Sequence, residues 1–437
     1  MSPPRGARLA TAFAAALAAM APAGAAAQGF TLDGSLSQNL SLDTNPSLDS
    51  DRGGGEPISF GSNTRLSLNG RLATQRSSWR LATGFGFRYR TNRDEDQDAL
   101  RELFEPTLRL SGQIAQPRFA LSPGLTFRRR RLDSDDTAFA DDFGDTLGGL
   151  DLPDFDDDGF DVVEDELIDQ DTAADDATLD DVETTEIRVA PSLGLSVPLS
   201  PRTSLGTGVN ASFRRVGETT EQIAGSTSFG ANASLRRSVS QRTDLTLSFA
   251  GQRFLSELET ARDATLFNTR LGITRTASPR LSFSASGGLV YTLFDERDIG
   301  AQPSDEDSTL GFSGSLAVDY RTAARRFSLG AAQSVSPSAN GDLSNRTSLF
   351  ASADENLTRR HSLTLRLRLS RSRDIDADGG DGDGSLIARV SPGLSYDVSR
   401  NWSARLSYAF LIGSNDGDLR LSNGATLTLT RDLALYP

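Results

Sequence analysis

From Phe30 to Leu42 every second residue reads Phe, Leu, Gly, Leu, Gln, Leu, Leu, and the residues between them are Thr, Asp, Ser, Ser, Asn and Ser. The same two-residue period returns along almost the whole chain, about eighteen times. Ile58, Phe60, Leu66, Leu68 and Leu72 oppose Arg65, Ser67, Asn69 and Arg71, while Leu363, Leu365, Leu367 and Leu369 alternate with Thr364, Arg366, Arg368 and Ser370. A period of two belongs to a β-strand whose faces meet different surroundings. Leucine on one face and arginine on the other require an apolar solvent and a polar one. A closed barrel in a bilayer supplies both and leaves no strand edge unpaired. The expected fold is therefore all-β, a transmembrane antiparallel up-and-down β-barrel.

Its connections alternate between short and long. Short turns are expected around Thr74–Ser78, Gln113–Pro117, Leu199–Thr203, Val239–Thr243, Ala277–Arg280, Thr322–Arg326, Thr358–His361 and Val398–Asn401. Between them lie longer runs rich in Asp, Gly, Ser and Asn, including Thr44–Pro57, Asp295–Asp307 and Asp374–Gly384. Outer-membrane barrels join strands by short periplasmic turns and longer external loops. This alternation predicts eighteen strands, or sixteen if Ile223–Arg236 is divided differently. Trp79 and Trp402 begin strands just after short turns, where an interfacial aromatic sits, and Tyr89, Phe254, Tyr291, Phe294, Tyr408 and Phe410 fall toward loop ends.

The first residues read as an export signal, with Arg5 and Arg8, an Ala-rich apolar run from Leu9 to Ala23, and Ala25-Ala26-Ala27 as the cleavage site. Residues 1–27 are expected to be removed and residues 28–437 to form the barrel, placing the protein in the outer membrane of a Gram-negative bacterium. The sequence has no cysteine and no lysine, so thiol and Schiff-base chemistry are excluded. The one histidine, His361, falls in a short turn, far from where a rim hydrolase would need a base. No enzyme activity and no required cofactor are expected.

The net charge of −14 is unevenly spread. Residues 133–186 hold 23 acidic residues and no arginine, which marks a long acidic external loop, whereas the rest of the chain is basic. If the apolar faces meet lipid, the inner face carries Arg65, Arg71, Arg88, Arg109, Arg188, Arg366, Arg368, Arg389 and Arg405, with Arg80, Arg128, Arg214 and Arg420. A cationic side chain on the lipid face costs roughly 2–4 kcal/mol at mid-bilayer, so arginines collect inside. Rings of arginine raise the local concentration of anions. The expected function is a water-filled pore for small hydrophilic solutes with some anion preference. The competing reading has these arginines paired with inner acids and filling the lumen.

Two acidic runs invite a Ca²⁺ reading. Asp154, Asp156 and Asp158 precede Gly159, and Asp165 stands at the twelfth position of a calcium loop. Asp374, Asp376 and Asp378 precede Gly379, but Ser385 occupies the twelfth position. In so acidic a loop such spacing also arises by chance.

The stretch from Ser35 to Asn45 and the recurring Ser-Pro-Arg turns resemble uncharacterised porin-like β-barrel proteins of the proteobacterial outer membrane, some of them associated with exopolysaccharide systems. Ser422 to Leu429 is similar to the signal read by the outer-membrane assembly machinery, although the chain continues to Tyr436-Pro437 where that pattern usually ends on an aromatic. The resemblance implies outer-membrane lipid, lipopolysaccharide and the assembly machinery as partners, and it admits a homo-oligomer. Nothing in the sequence points to nucleic acid. Two alternatives stay open: a partner-dependent barrel for exopolysaccharide export, and a surface structural or adhesive barrel acting through calcium-bound acidic loops.

Overall fold

A computed structural model describes residues 29–44, 58–91, 103–132, 184–217, 225–257, 263–295, 308–337, 343–375, 381–415 and 418–436. They form eighteen strands in chain order. The first six are β1 (Gly29–Thr44), β2 (Ile58–Ala73), β3 (Ser77–Thr91), β4 (Leu103–Gln116), β5 (Phe119–Leu132) and β6 (Thr184–Ser200). The next six are β7 (Thr203–Val216), β8 (Ser226–Ser240), β9 (Thr243–Ser256), β10 (Asp263–Ser278), β11 (Leu281–Asp295) and β12 (Ser308–Arg321). The last six are β13 (Arg325–Pro337), β14 (Leu343–Asn356), β15 (His361–Ile375), β16 (Asp381–Asp397), β17 (Trp402–Asn415) and β18 (Asp418–Tyr436). Each pairs antiparallel with its neighbours in sequence, and β1 pairs with β18 from Leu32↔Tyr436 to Thr44↔Asn423, closing the sheet. The chain is an eighteen-stranded, closed, antiparallel barrel.

Which face is inside follows from exposure. The most exposed apolar side chains, Leu310 at 66%, Leu329 at 62% and Leu271 at 60%, lie on one face. The polar face holds Thr292 at 1%, Ser313 at 2% and Ser422 at 2%. A closed sheet crowds its concave side, so the polar face lines the lumen and the leucine face meets lipid. Such a belt around an edgeless barrel is the arrangement of the outer membrane.

The strands run from 13 to 19 residues, longer than the roughly 9–11 that cross a bilayer, and carry the wall beyond both rims. At the periplasmic rim six turns share one device. The hydroxyl of Thr74, Ser200, Ser240, Ser278, Thr358 or Ser399 accepts a hydrogen bond from the backbone N–H two residues on. This local bond tightens the reversal and explains the repeated Ser-x-Arg motif. Trp79 and Trp402 both face outward just above this rim. The Trp79 ring covers Gly112, and Arg431 stacks over the Trp402 ring at 5.5 Å.

Several boundaries differ from expectation. Thr184, Thr185 and Glu186 belong to β6, so the acidic connection ends three residues earlier than its charge run. Residues 1–28 lie outside the described part, as do Asp154, Asp156, Asp158 and Asp165. Asp374 belongs to β15 and pairs with Ser344, while Ile375 pairs with Asp381 and Ser372 with Ser385. The first and twelfth positions of the second acidic run, Asp374 and Ser385, thus lie on the paired strands β15 and β16, and Asp376 and Asp378 lie outside the described residues. Ser422–Leu429 lies within β18, which runs on to Tyr436. Phe254 and Phe294 belong to the inner wall, not to an outer aromatic girdle: Phe254 is buried and Phe294 packs on an internal apolar cluster.

That cluster marks a departure from regular pairing. The β12–β13 ladder stops at Gly314↔Gln333, while β13 stays paired with β14 up to Pro337↔Leu343. Beyond the break β13 passes inside β12. Val335, which alternation assigns to the lipid face, is 4% exposed and packs with Ala264, Leu266 and Val290 of the inner wall. Gly311 allows this, since a Cβ there would lie 2.8 Å from Val335 Cγ2.

Candidate functional site

The lumen wall carries two arcs of arginine. Strands β2 to β7 bring in Arg65, Arg71, Arg80, Arg109, Arg128, Arg130, Arg188 and Arg214; strands β14 to β17 bring in Arg346, Arg366, Arg368, Arg389 and Arg405. The side chains of Arg88 and Arg420 lie outside the described part of β3 and β18. Between the arcs, β18 and β1 present Ser, Thr and Asn on this face, and β8 to β13 are largely Ser, Gly and Asn with Arg270 at mid-wall.

Register sharpens the pattern. Arg71 stands directly opposite Arg80, Arg128 opposite Arg188, Arg188 opposite Arg214, and Arg368 opposite Arg389. Directly opposed residues bring their Cβ atoms to about 4.5–5.5 Å, and like charges so placed destabilise a sheet. Four such pairs on one face concentrate positive charge on two walls.

The external end of the first arc contains a compensating acid. Glu186 is 4% exposed, and its Oε2 accepts from Arg130 Nη2 at 3.1 Å and from Arg214 Nε at 3.1 Å. Beside it Arg188 Nε donates to Ser212 Oγ at 3.1 Å. At the periplasmic end Asp244 accepts from Arg236 at 3.0 Å and from Ser238 at 2.6 Å. The second arc is different. Arg405 Nη2 donates to the Thr364 hydroxyl at 3.2 Å, and Arg346 Nε donates to Ser370 at 2.9 Å. Among the described residues, Arg71, Arg80, Arg366, Arg368 and Arg405 enter no ion pair. Hydroxyl partners orient a guanidinium without cancelling its charge.

Eight of the nine sequence-selected arginines therefore hold inner positions, Arg88 lying outside the described side chains, and the structure groups them into two arcs rather than a continuous ring. Arg130, Arg346 and Arg270 also belong to the inner wall and were not singled out from sequence. Their signal was parity: Arg130 follows Arg128 by two, and Arg346 precedes the inner Phe350 by four. Glu186 was assigned to the loop by its acidic surroundings, although its alternation with Arg188 already carried the strand pattern. Among the described residues no three Asp, Glu or His side chains converge as metal ligands.

No protein-family model matches the sequence, and no curated protein matches it. Solved barrels do. The chain is similar to OccAB4 of Acinetobacter baumannii at 12% identity, covering 94% of this chain and all of that one with a TM-score of 0.47. It is similar to OccK7 of Pseudomonas aeruginosa at 12% identity, covering 93% and 100% with a TM-score of 0.49. The outer membrane protein OpdK of Pseudomonas aeruginosa gives 13% identity, 93% and 99% coverage and a TM-score of 0.46. Nothing about a solute follows from likenesses this distant.

Proposed function

We propose that the barrel is an outer-membrane pore for small hydrophilic solutes, with a preference for anions set by its two arginine walls. The observation that carries the reading is the set of four directly opposed arginine pairs on the inner face. Like-charge pairs cost stability, and mobile anions in the lumen offset that cost where protein carboxylates do not. The second arc supports the same reading, because Arg366 and Arg368 enter no ion pair among the described residues and the Arg405 guanidinium donates to a hydroxyl, with only Asp354 acting on it from a distance.

The reading in which arginines merely pair with acids and fill the lumen accounts for Glu186 and Asp244, but it gives Arg366 and Arg368 of the second arc no ion pair among the described residues. Single-channel recording of the refolded mature protein under a KCl gradient tests the proposal. A steady open level with a reversal potential on the chloride side is the expected result. A cation-selective level refutes the arginine assignment, and a folded but silent barrel refutes the pore.

A further inference from the structure

The stretch of wall between the arginine arcs that is poorest in charge contains a recess. Its volume is about 40 Å³, and it is bordered by the amides of Asn210 on β7, Gln252 on β9 and Asn268 on β10, with Leu266, Val290 and Val335 as its apolar lining. Room for one water requires about 10–15 Å³, so the recess accepts a few waters or one small substituent of a solute.

Three features make this more than a gap in the wall. Its far side is Val335, delivered only because β13 leaves β12 and passes inside it. Its mouth is shaped by Gly230: a Cβ there would stand 2.5 Å from Asn210 Oδ1, so the glycine gives the amide its place. Most telling, none of the three amides hydrogen-bonds another described group, and Asn268 Oδ1 is buried without a partner. A buried polar atom left unpaired costs about 1–3 kcal/mol, and a rotation of the Asn268 side chain brings its carbonyl or its NH₂ to a guest.

We infer that this recess is a subsite for the hydroxymethyl end of a neutral polyol or sugar. Each amide offers both donor and acceptor, which matches a hydroxyl that does both, and the Leu266–Val290–Val335 lining suits the C–H surface beside it. No charged residue borders the recess, so an ion entering it gains no counter-charge. Neutral solutes would thus rest on one wall while anions follow the others. The inference deepens the pore reading and rests on the lumen being open to water.

Two variants, Asn268→Val and Gln252→Leu, remove amides at similar volume, and sorbitol is the probe. In planar bilayers, sorbitol is expected to reduce the wild-type KCl current saturably, beyond its effect on viscosity. Each variant should weaken that half-saturation about three- to tenfold, the weight of one neutral hydrogen bond, with KCl conductance unchanged. A conducting pore whose current falls only with viscosity, equally in wild type and variants, overturns the subsite and leaves the pore standing. Saturation-transfer NMR on the folded protein in detergent decides the case even for a silent barrel. Transfer to sorbitol that the variants lose supports the recess without the pore, and no transfer, or equal transfer in all three proteins, overturns it.

Discussion

At the scale of single residues, Glu186 and Gly288 show how the wall balances charge against space. Glu186 neutralises part of an otherwise unbroken basic run, Arg128, Arg188 and Arg214, across three strands. Glu186→Gln keeps the shape and removes the charge. It is expected to lower stability by roughly 1.5–3 kcal/mol, the range for hydrogen bonds to charged groups, as read by urea unfolding. In a conducting barrel the same change should move the reversal potential further toward chloride. Gly288 is a spatial requirement. A Cβ there would meet the Thr269 carbonyl oxygen at 2.3 Å and Arg270 Cα at 2.9 Å, and backbone cannot swing away as a side chain can. At Gly272 on the same hairpin the nearest atom would be 3.7 Å away. Gly288→Ala should therefore sharply reduce the folded, gel-retarded fraction after refolding, while Gly272→Ala should leave it unchanged. Residue type and parity were legible in the sequence, since Arg366 and Arg368 sit on the leucine-free face by counting alone. The opposition of Arg368 to Arg389 was not, because it depends on the register between strands, which alternation leaves undetermined by any even shift.

At the scale of the strand and its turn, most of the architecture could be read in advance. All eight short turns fall where Arg stands beside Ser, Thr or Pro, since each must reverse the chain within a few residues using local hydrogen bonds. Ser200, Ser240 and Ser278 fill the same role in three turns, each accepting from a backbone N–H. Replacing the three by alanine together is expected to cost about 1.5–4.5 kcal/mol, one modest hydrogen bond apiece, with no change in conductance. Urea midpoints of the single and triple variants check both the size and the additivity. Strand β13 escaped sequence reading for a physical reason. Val335 satisfies the alternation of a lipid-facing residue, and only the loss of pairing beyond Gly314↔Gln333 turns that face onto the inner wall. Phe254 and Phe294 misled in a related way: an aromatic near a strand end fits a membrane girdle or an inner packing role equally well until parity is fixed from neighbours.

For the molecule as a whole, selectivity depends on whether the arginine walls act through a field or through contact. Walls that act through their field are screened by salt. The Debye length is about 10 Å at 0.1 M and about 3 Å at 1 M, so at high salt each wall loses its reach across the lumen. Walls that act by direct hydrogen bonding to an anion keep their preference, because a guanidinium contact is hardly screened. The second arc separates the two cases. Arg366, Arg368 and Arg405 enter no ion pair among the described residues, so their charge is available to the lumen, and Arg366→Gln/Arg368→Gln/Arg405→Gln removes it while breaking no carboxylate hydrogen bond, Asp354 acting on Arg405 only through its field. A field mechanism predicts chloride preference in wild type at 0.1 M KCl that largely vanishes by 1 M, with the triple variant shifted toward non-selectivity at low salt and matching wild type at high salt. Reversal potentials measured at a fixed concentration ratio and rising mean concentration decide it. A preference that persists at 1 M and disappears only in the variant would assign selectivity to contact at the β15–β17 wall. A preference unchanged by the variant at either salt would assign it to the β2–β7 wall, where Glu186 already offsets part of the charge.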